Sequence, residues 1–257
     1  MEQQTLKILY QDDHIIAIDK PVGLLVHRSM VAKHETEFAV QLLRDQIGQY
    51  VYPVHRLDRP TSGVLLFALS SSVAAALTAQ FTQRQVTKEY NAIVRGHLAS
   101  SYAIDYPLAE ITDKYTDAKA TKDKPPQNAF TQLSCVQRYQ IPLPAGRYQS
   151  ARFSLVSLLP TTGRKHQLRR HMAHIRHPII GDTTHGDGKQ NKFLRHHFNF
   201  ASLALTCTSM TVNHPVDGLA LTFSAPLHQN MQRLLNDWQP FCVKGNENLN
   251  THRVITS

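Results

Sequence analysis

Hydrophobic and polar positions alternate in two short runs near the start of the chain, Leu6–Tyr10 and Ile15–Asp19, with Asp12-Asp13 between them. A period of two predicts a pair of strands joined by a turn. Lys20-Pro21-Val22-Gly23 then breaks the pattern. From Glu37 to Gly48 the spacing becomes helical: Phe38, Leu42 and Leu43 share a face, and Gly48 supplies a stop. After a turn at Gly63, Val64–Leu69 is an unbroken apolar run that predicts a buried strand. "SSSVAAALTAQFTQRQ" follows, with serines as candidate caps and Val73, Leu77 and Phe81 every four residues, so it reads as a helix. "KEYNAIVRG", "AFTQLSCVQRY" and "ARFSLVSLLP" read as strands, and the polar stretch 112–129 as a surface loop. Leu168, Met172 and Ile175 fall at i, i+4 and i+7 of a helix that Pro178 stops. Leu203–Val212 and Ala220–Phe223 flank the turn "NHPVDG", and Leu227–Trp238 is helix-like. Strands and helices mix without strict alternation, which predicts an α+β fold. No repeat or compositional break divides the chain. The expectation is a single domain over 1–243 and a polar, mobile tail over 244–257.

Composition narrows the setting. A chain of 257 residues, 42% of them apolar, can bury a substantial core. No apolar run is long enough to span a bilayer, and "MEQQTLKILYQDDH" lacks a basic-then-apolar signal pattern, so neither membrane nor export is expected. Cys135, Cys207 and Cys242 are far apart and form no C-x-x-C, which argues against a disulfide framework or zinc knuckle and for a cytoplasmic location.

Charge changes the picture more. The chain carries 28 Lys and Arg against 19 Asp and Glu, a net +9. Between Lys124 and Gly181 there is no acid, and nine basic residues lie there: Lys124, Arg138, Arg147, Arg152, Arg164, Lys165, Arg169, Arg170 and Arg176. This one segment equals the whole excess. Such a concentration attracts a polyanion, RNA or DNA; the plainer alternative is a solvated basic face.

Candidate chemistry gathers in three places. In "HRLDRPTSG", Asp58 sits between Arg56 and Arg59 at the mouth of the buried strand. An ionised carboxylate there can serve as nucleophile or base; alternatively it is a surface acid paired with its neighbours. In "TTGRKHQLRRHMAHIRHPIIGD", Arg169 lies about 100° round the helix from Leu168 and so can leave the core edge. Arg164 and Lys165 fall near the start of that helix, where cations are unfavourable unless an anion joins them, either a phosphate or a carboxylate from elsewhere in the fold. Tyr90 in "KEYNAIVRG" is a core aromatic by default, or a ring that stacks on a base beside a basic groove. Fifteen histidines, seven of them between His166 and His197, raise a metal site. His171 and His174 are three apart, but no H-E-x-x-H accompanies them, so no metal is expected. The absence of G-x-S-x-G, P-loop and G-x-G-x-x-G patterns argues against a serine hydrolase and a nucleotide cofactor.

Together these segments resemble a known family. "HRLDRPTSG" resembles the H-R-L-D-x-x-T-S-G signature of the large pseudouridine synthase family whose members act on ribosomal and transfer RNA. "TGRKHQLRRHMAHIRHPIIGD" is similar to its T-G-R-x-H-Q-L-R-x-H…H-P-I-x-G-D block, "KEYNAIVRG" to its K-x-Y-x-A-x-V-x-G segment, and "ILYQDDHIIAIDKPVGLLVH" to its opening strands. The similarity spans roughly residues 6 to 225 in the same order. "LLVHRS", "LRDQIG" and "HGDGKQN" resemble the branch that modifies uridine-65 of tRNA more than the ribosomal branches.

The resemblance implies a pseudouridine synthase fold, a mixed, largely antiparallel sheet with flanking helices and a central catalytic cleft, with no S4-like module before it. It implies isomerisation of a uridine within RNA, without cofactor or metal. Asp58 matches the catalytic aspartate, whose step (attack on C1′, attack on C6 or removal of a sugar proton) stays open. Arg169 matches the cation that pairs with it, and Tyr90 the ring that stacks on the target base. Arg56 matches the residue linked to turning the uridine out of its stem, which must precede chemistry. Arg164, Lys165, His166 and Gln167 are the further expected substrate-binding residues. The expected partner is RNA, most simply tRNA bound by a monomer. The same chemistry on 23S ribosomal RNA, and a non-catalytic RNA-binding module, are the alternatives.

Overall fold

The structure is a computed structural model. It describes residues 5–27, 37–99, 101–111, 124–146, 148–243 and 252–256. Contacts divide the chain into two compact units. The first comprises Met1–Lys88, Ile111–Lys124 and Cys207–Pro226, the second Glu89–Glu110, Pro125–Thr206 and Leu227–Ser257.

In the first unit, β1 (Lys7–Gln11) and β2 (Ile15–Lys20) form the expected antiparallel pair. The Asp12 carboxylate closes their turn by accepting the His14 and Ile15 amides at 2.7 and 2.8 Å. β2 pairs with β4 (Ser62–Ala68), which also borders the two-residue β3 (Tyr52–Pro53) and β9 (Leu205–Asn213). β10 (Ala220–Ser224) completes a hairpin on β9 around the predicted turn. Every residue of β4 is buried, as its unbroken apolar run requires. Gly63 permits the approach of β4 to β9: its φ is +102°, and a Cβ there would lie 2.1 Å from the Cys207 carbonyl oxygen. Helix α1 (Ala39–Ile47) ends at Gly48 in the left-handed conformation, and α2 (Ser71–Thr82) starts where the Ser70 hydroxyl accepts the Val73 amide.

The second unit orders its strands β5 (Thr87–Arg95), β8 (Ala151–Pro160), β7 (Phe130–Ile141) and β6 (Ser101–Asp105), all antiparallel. The short β11 (Cys242–Val243) joins β7. Helices α3 (Gln167–His174), α4 (Gly188–Phe198) and α5 (Gln229–Trp238) belong to the same unit. Ile93, Phe153, Met172, Leu194 and Trp238 lie in its core, with Trp238 stacked on Phe153 at 4.5 Å between ring centroids.

Three expectations need correction. The part of the tail that is described, His252–Thr256, is strand β12, running parallel to β6. Its Val-Ile-Thr core is strand-forming, and an edge strand offers it unpaired main-chain groups. The rest of the expected tail, 244–251 and 257, lies outside the described residues, as do 112–123 of the expected loop. Helix α3 begins at Gln167, because His166 adopts the left-handed conformation (φ +55°) and the preceding residues form a turn. It ends one turn before Pro178, at a left-handed Arg176 (φ +64°). Helix α4 has no apolar stripe to betray it: only Asn191 and Leu194 are buried, one of them polar.

Candidate active site

The loop between β3 and β4 carries Asp58, and packing fixes its course. Val54 and Leu57 are buried, Arg56 and Arg59 are exposed, and Asp58 is half-buried. The Asp58 carbonyl accepts the Thr61 amide at 3.0 Å, closing the turn that leads into β4. His55 anchors the other end. Its Nε2 accepts the Leu66 amide of β4 at 2.9 Å, and its ring stacks on Phe81 at 5.0 Å. Burial, aided by the nearby Lys88 charge, pushes the His55 pKa down to about 3, so the ring is neutral with its proton on Nδ1.

Lys20 ties this loop to the segment after β2. It is fully buried, and its ammonium donates to the carbonyls of Pro21, Leu24 and Arg59 at 2.9, 2.8 and 3.2 Å. Arg59 adds two bonds to Gly23, amide to carbonyl in one direction and guanidinium to carbonyl in the other. Burial pulls the Lys20 pKa down to about 7, and the negative charge of Asp58 opposes that fall. Asp58 and a buried cation therefore share one electrostatic environment. In the sequence, Lys20 stands only as the first residue of the Lys20–Gly23 break in the pattern. The available signal was parity: Lys20 falls on the same side of β2 as the buried Ile16 and Ile18. Near the same loop, burial and then the Arg56 charge hold the His27 imidazole below its ordinary pKa.

In the second unit, Arg169 leaves the apolar stripe of α3 but remains only 4% exposed. Its Nε and Nη2 donate to the two carboxylate oxygens of Asp182 at 2.7 and 2.8 Å, a bidentate pair. Oδ1 of Asp182 also accepts the Thr184 and His185 amides at 2.8 and 2.9 Å. Burial alone would raise the Asp182 carboxyl; the Arg169 guanidinium and these amides outweigh it and hold the group below the ordinary carboxylate range. The segment holding Asp182 is itself pinned. Asn191 donates to the Asp182 carbonyl at 2.8 Å and accepts the Gly181 amide at 2.9 Å. A Cβ on Gly181 (φ +76°) would lie 1.8 Å from the Ser202 carbonyl oxygen, so only glycine fits. The sequence leaves a phosphate or a carboxylate open for Arg164 and Lys165; the Asp182 carboxylate pairs instead with Arg169, in the first turn of α3.

Gln167, expected to bind substrate, has another role. Its Oε1 accepts the Thr162 hydroxyl at 2.7 Å and the Arg164 amide at 3.0 Å. Its Nε2 donates to the Phe130 carbonyl at 3.0 Å and to Thr131 Oγ1 at 3.1 Å. Both lone pairs and both protons are used, leaving the amide no capacity for a substrate. It staples the turn before α3 to β7. The remaining expected residues are placed as follows. Arg164 donates from Nε to the Asn128 carbonyl, and Lys165 is half-buried in the turn before α3. His166 Nδ1 lies 2.9 Å from His185 Nε2, a hydrogen-bonded imidazole pair. Tyr90 stands in β5 opposite Leu158, half-buried against the core of the second unit. His171 and His174 diverge: His171 is buried between Thr131 and the Tyr106 carbonyl, while His174 stacks on the Tyr106 ring.

Comparison with known proteins agrees with this architecture. The family model described as RNA pseudouridylate synthase matches residues 14–174, a stretch that includes Asp58, Tyr90 and Arg169. The chain is 53% identical over 233 residues to a tRNA pseudouridine synthase C of Yersinia pestis, covering 91% of each chain. It is 49% identical over 236 residues to one of Vibrio cholerae, covering 91% of this chain and 97% of that one. Among solved structures, human RNA pseudouridylate synthase domain containing 4 superposes with a TM-score of 0.69 at 25% identity, covering 93% of this chain and 95% of that one. Human RNA pseudouridylate synthase domain containing 1 gives 0.67 at 23% identity, covering 93% and 96%, and supports the fold. A motif-bearing loop at the mouth of β4, a buried arginine held by the acid of "HPIIGD" and a match over most of the chain converge on one assignment: this protein belongs to the RNA pseudouridylate synthase family.

Proposed function

We propose that this protein isomerises one uridine of tRNA, uridine-65, to pseudouridine, with Asp58 as the catalytic group and Arg169 and Tyr90 as its companions. The observation that carries the tRNA reading is the match, near half identity and over nine-tenths of both chains, to relatives named tRNA pseudouridine synthase C. The choice of uridine-65 rests on the resemblance carried by "LLVHRS", "LRDQIG" and "HGDGKQN". Residues 1–243 act as one catalytic domain, as a monomer in the cytoplasm, where tRNA is found.

The reaction balances without any added group. The N1–C1′ bond breaks, the uracil turns, and C5 bonds to C1′. The hydrogen on C5 leaves to solvent as a proton, and N1 gains one. No redox change occurs, so the protein's task is to extract, orient and polarise. Arg56, exposed beside Asp58 in sequence, suits the vacated stack or a phosphate. Tyr90 offers a ring for the extruded base. Arg169 contributes a cation whose position Asp182 fixes in advance. Arg164, Lys165 and His166 supply further contacts to the RNA.

The test uses an in vitro tRNA transcript tritiated at uridine C5. The wild type releases tritium, whereas Asp58→Asn binds the RNA and releases none. Turnover by Asp58→Asn at the wild-type rate refutes the assignment of Asp58. Mapping pseudouridine in a deletion strain checks the target: loss of a 23S RNA site with tRNA intact refutes the tRNA reading.

A further inference from the structure

Helix α4 begins six residues after Asp182, and its two sides differ sharply. The inner side is locked, with Leu194 buried and Asn191 bonded to the backbone of Gly181 and Asp182. On the outer side Lys189, Lys192 and His196 stand at i, i+3 and i+7, all exposed, with exposed Arg195 and His197 to either side. The helix "GKQNKFLRHHF" contains no acid. The acid at its N-cap, Asp187, accepts the Lys189 and Gln190 amides and pairs with Arg95, so its charge is matched. Among the described residues, Lys189, Lys192 and Arg195 have no acidic partner.

The cationic band continues beyond both ends of the helix. Arg95 donates from Nη2 to the carbonyl of exposed Arg176, and exposed Arg233 donates to the carbonyl of Asn199 at the C-cap. The helix alone spans about 16 Å, at 1.5 Å per residue. Arg195, His196 and His197 complement the negative end of the helix dipole, which accounts for them without a ligand. Lys189 has no such account: it stands in the first turn, at the positive end, one turn from Lys192. Cations so arranged repel one another and the dipole, and a polyanion lying along the face removes both penalties.

We propose that the outer face of α4 binds the phosphate backbone of the substrate RNA as a sequence-independent cationic rail. The proposal rests on the reading of this chain as an enzyme that acts on RNA, but its test reads binding alone. The partner's chemistry is fixed by the surface, which offers point charges and no exposed apolar ring, as backbone contacts require.

The experiment measures Kd for an unmodified tRNA transcript as a function of salt, comparing the wild type with the triple variant Lys189→Gln/Lys192→Gln/Arg195→Gln. Thermal melting confirms that the variant is folded, as expected for three exposed positions. Loss of three phosphate contacts lowers the slope of log K against log salt by about 2 to 3 and weakens binding on the order of 10²-fold at 0.1 M salt. Lys192→Gln alone removes about a third of the slope change. A control removing exposed cations of the first unit, Lys7→Gln/Arg84→Gln, leaves the slope as in the wild type. An unchanged slope in the triple variant overturns the proposal, and so does an equal fall in the control, which would indicate diffuse charge. Tritium release by the wild type is followed on the same RNA. Its absence, with salt-dependent binding intact, would refute the proposed reaction and leave the rail standing.

Discussion

Replacing Asp182 by asparagine preserves the shape of the side chain and removes the charge that holds Arg169. The wild-type carboxylate accepts four hydrogen bonds, two from the guanidinium and two from the amides of Thr184 and His185. Asparagine keeps one carbonyl oxygen for the amides and turns an NH2 toward a guanidinium N–H, donor against donor. Both groups of the pair are almost fully buried, with side-chain exposures of 5% and 1%. Removing one partner of such a pair costs about 3–5 kcal/mol, since the other charge is stranded. For a chain of this size each kcal/mol lowers the Tm by about 2–4 °C, so a fall of roughly 6–20 °C is expected. Freed from its fork, Arg169 moves, and a displacement on the order of 1 Å costs roughly 10²-fold in turnover. Differential scanning calorimetry and single-turnover tritium release measure the two effects, and RNA binding should survive. The pH dependence supplies a signature. Asp182 has a depressed pKa in the folded state, so its stabilisation is complete above the ordinary carboxylate range and disappears as pH falls through the folded value. Asp182→Asn should therefore flatten the acid limb of the stability curve. A variant that melts within about 1 °C of the wild type, turns over normally and keeps the same acid limb would sink the claim that Asp182 holds Arg169 by charge.

Lys20 acts in the same sense with pH, but in a window above neutrality. Its folded pKa of about 7 lies below its unfolded value, so between these the unfolded chain binds more protons and stability rises with pH. Chemical denaturation at pH 7 and pH 9 should show that rise in the wild type, and Lys20→Met should abolish it while loosening the loop that carries Asp58; an identical rise in the variant would exclude Lys20 as its source. Gly63→Ala should fail to accumulate as folded protein or lose several kcal/mol, because both its φ and the Cys207 carbonyl oppose a side chain; a melting curve like that of the wild type would refute the close approach of β4 to β9.

Much of this molecule is written locally. The alternation of β2, the continuous apolar run of β4, the serine cap of α2 and the glycine stop of α1 each follow from spacing and backbone preference, which neighbouring residues suffice to express. The aspartate at the mouth of β4 and the arginine off the stripe of α3 were visible as unusual residues, and the resemblance attached roles to them. Partnership was not visible. Asp182 holds Arg169 from thirteen residues away, Gln167 is spent on β7 some thirty-six residues earlier, and Lys20 meets the Arg59 carbonyl across thirty-nine. Helix α4 and strand β12 escaped for a related reason: one has almost no apolar stripe, and the other gains its strand character from pairing with a distant edge. Periodicity reports which way a side chain faces. Which polar group waits there depends on loops closing at distances that no local pattern encodes, and only the folded chain decides it.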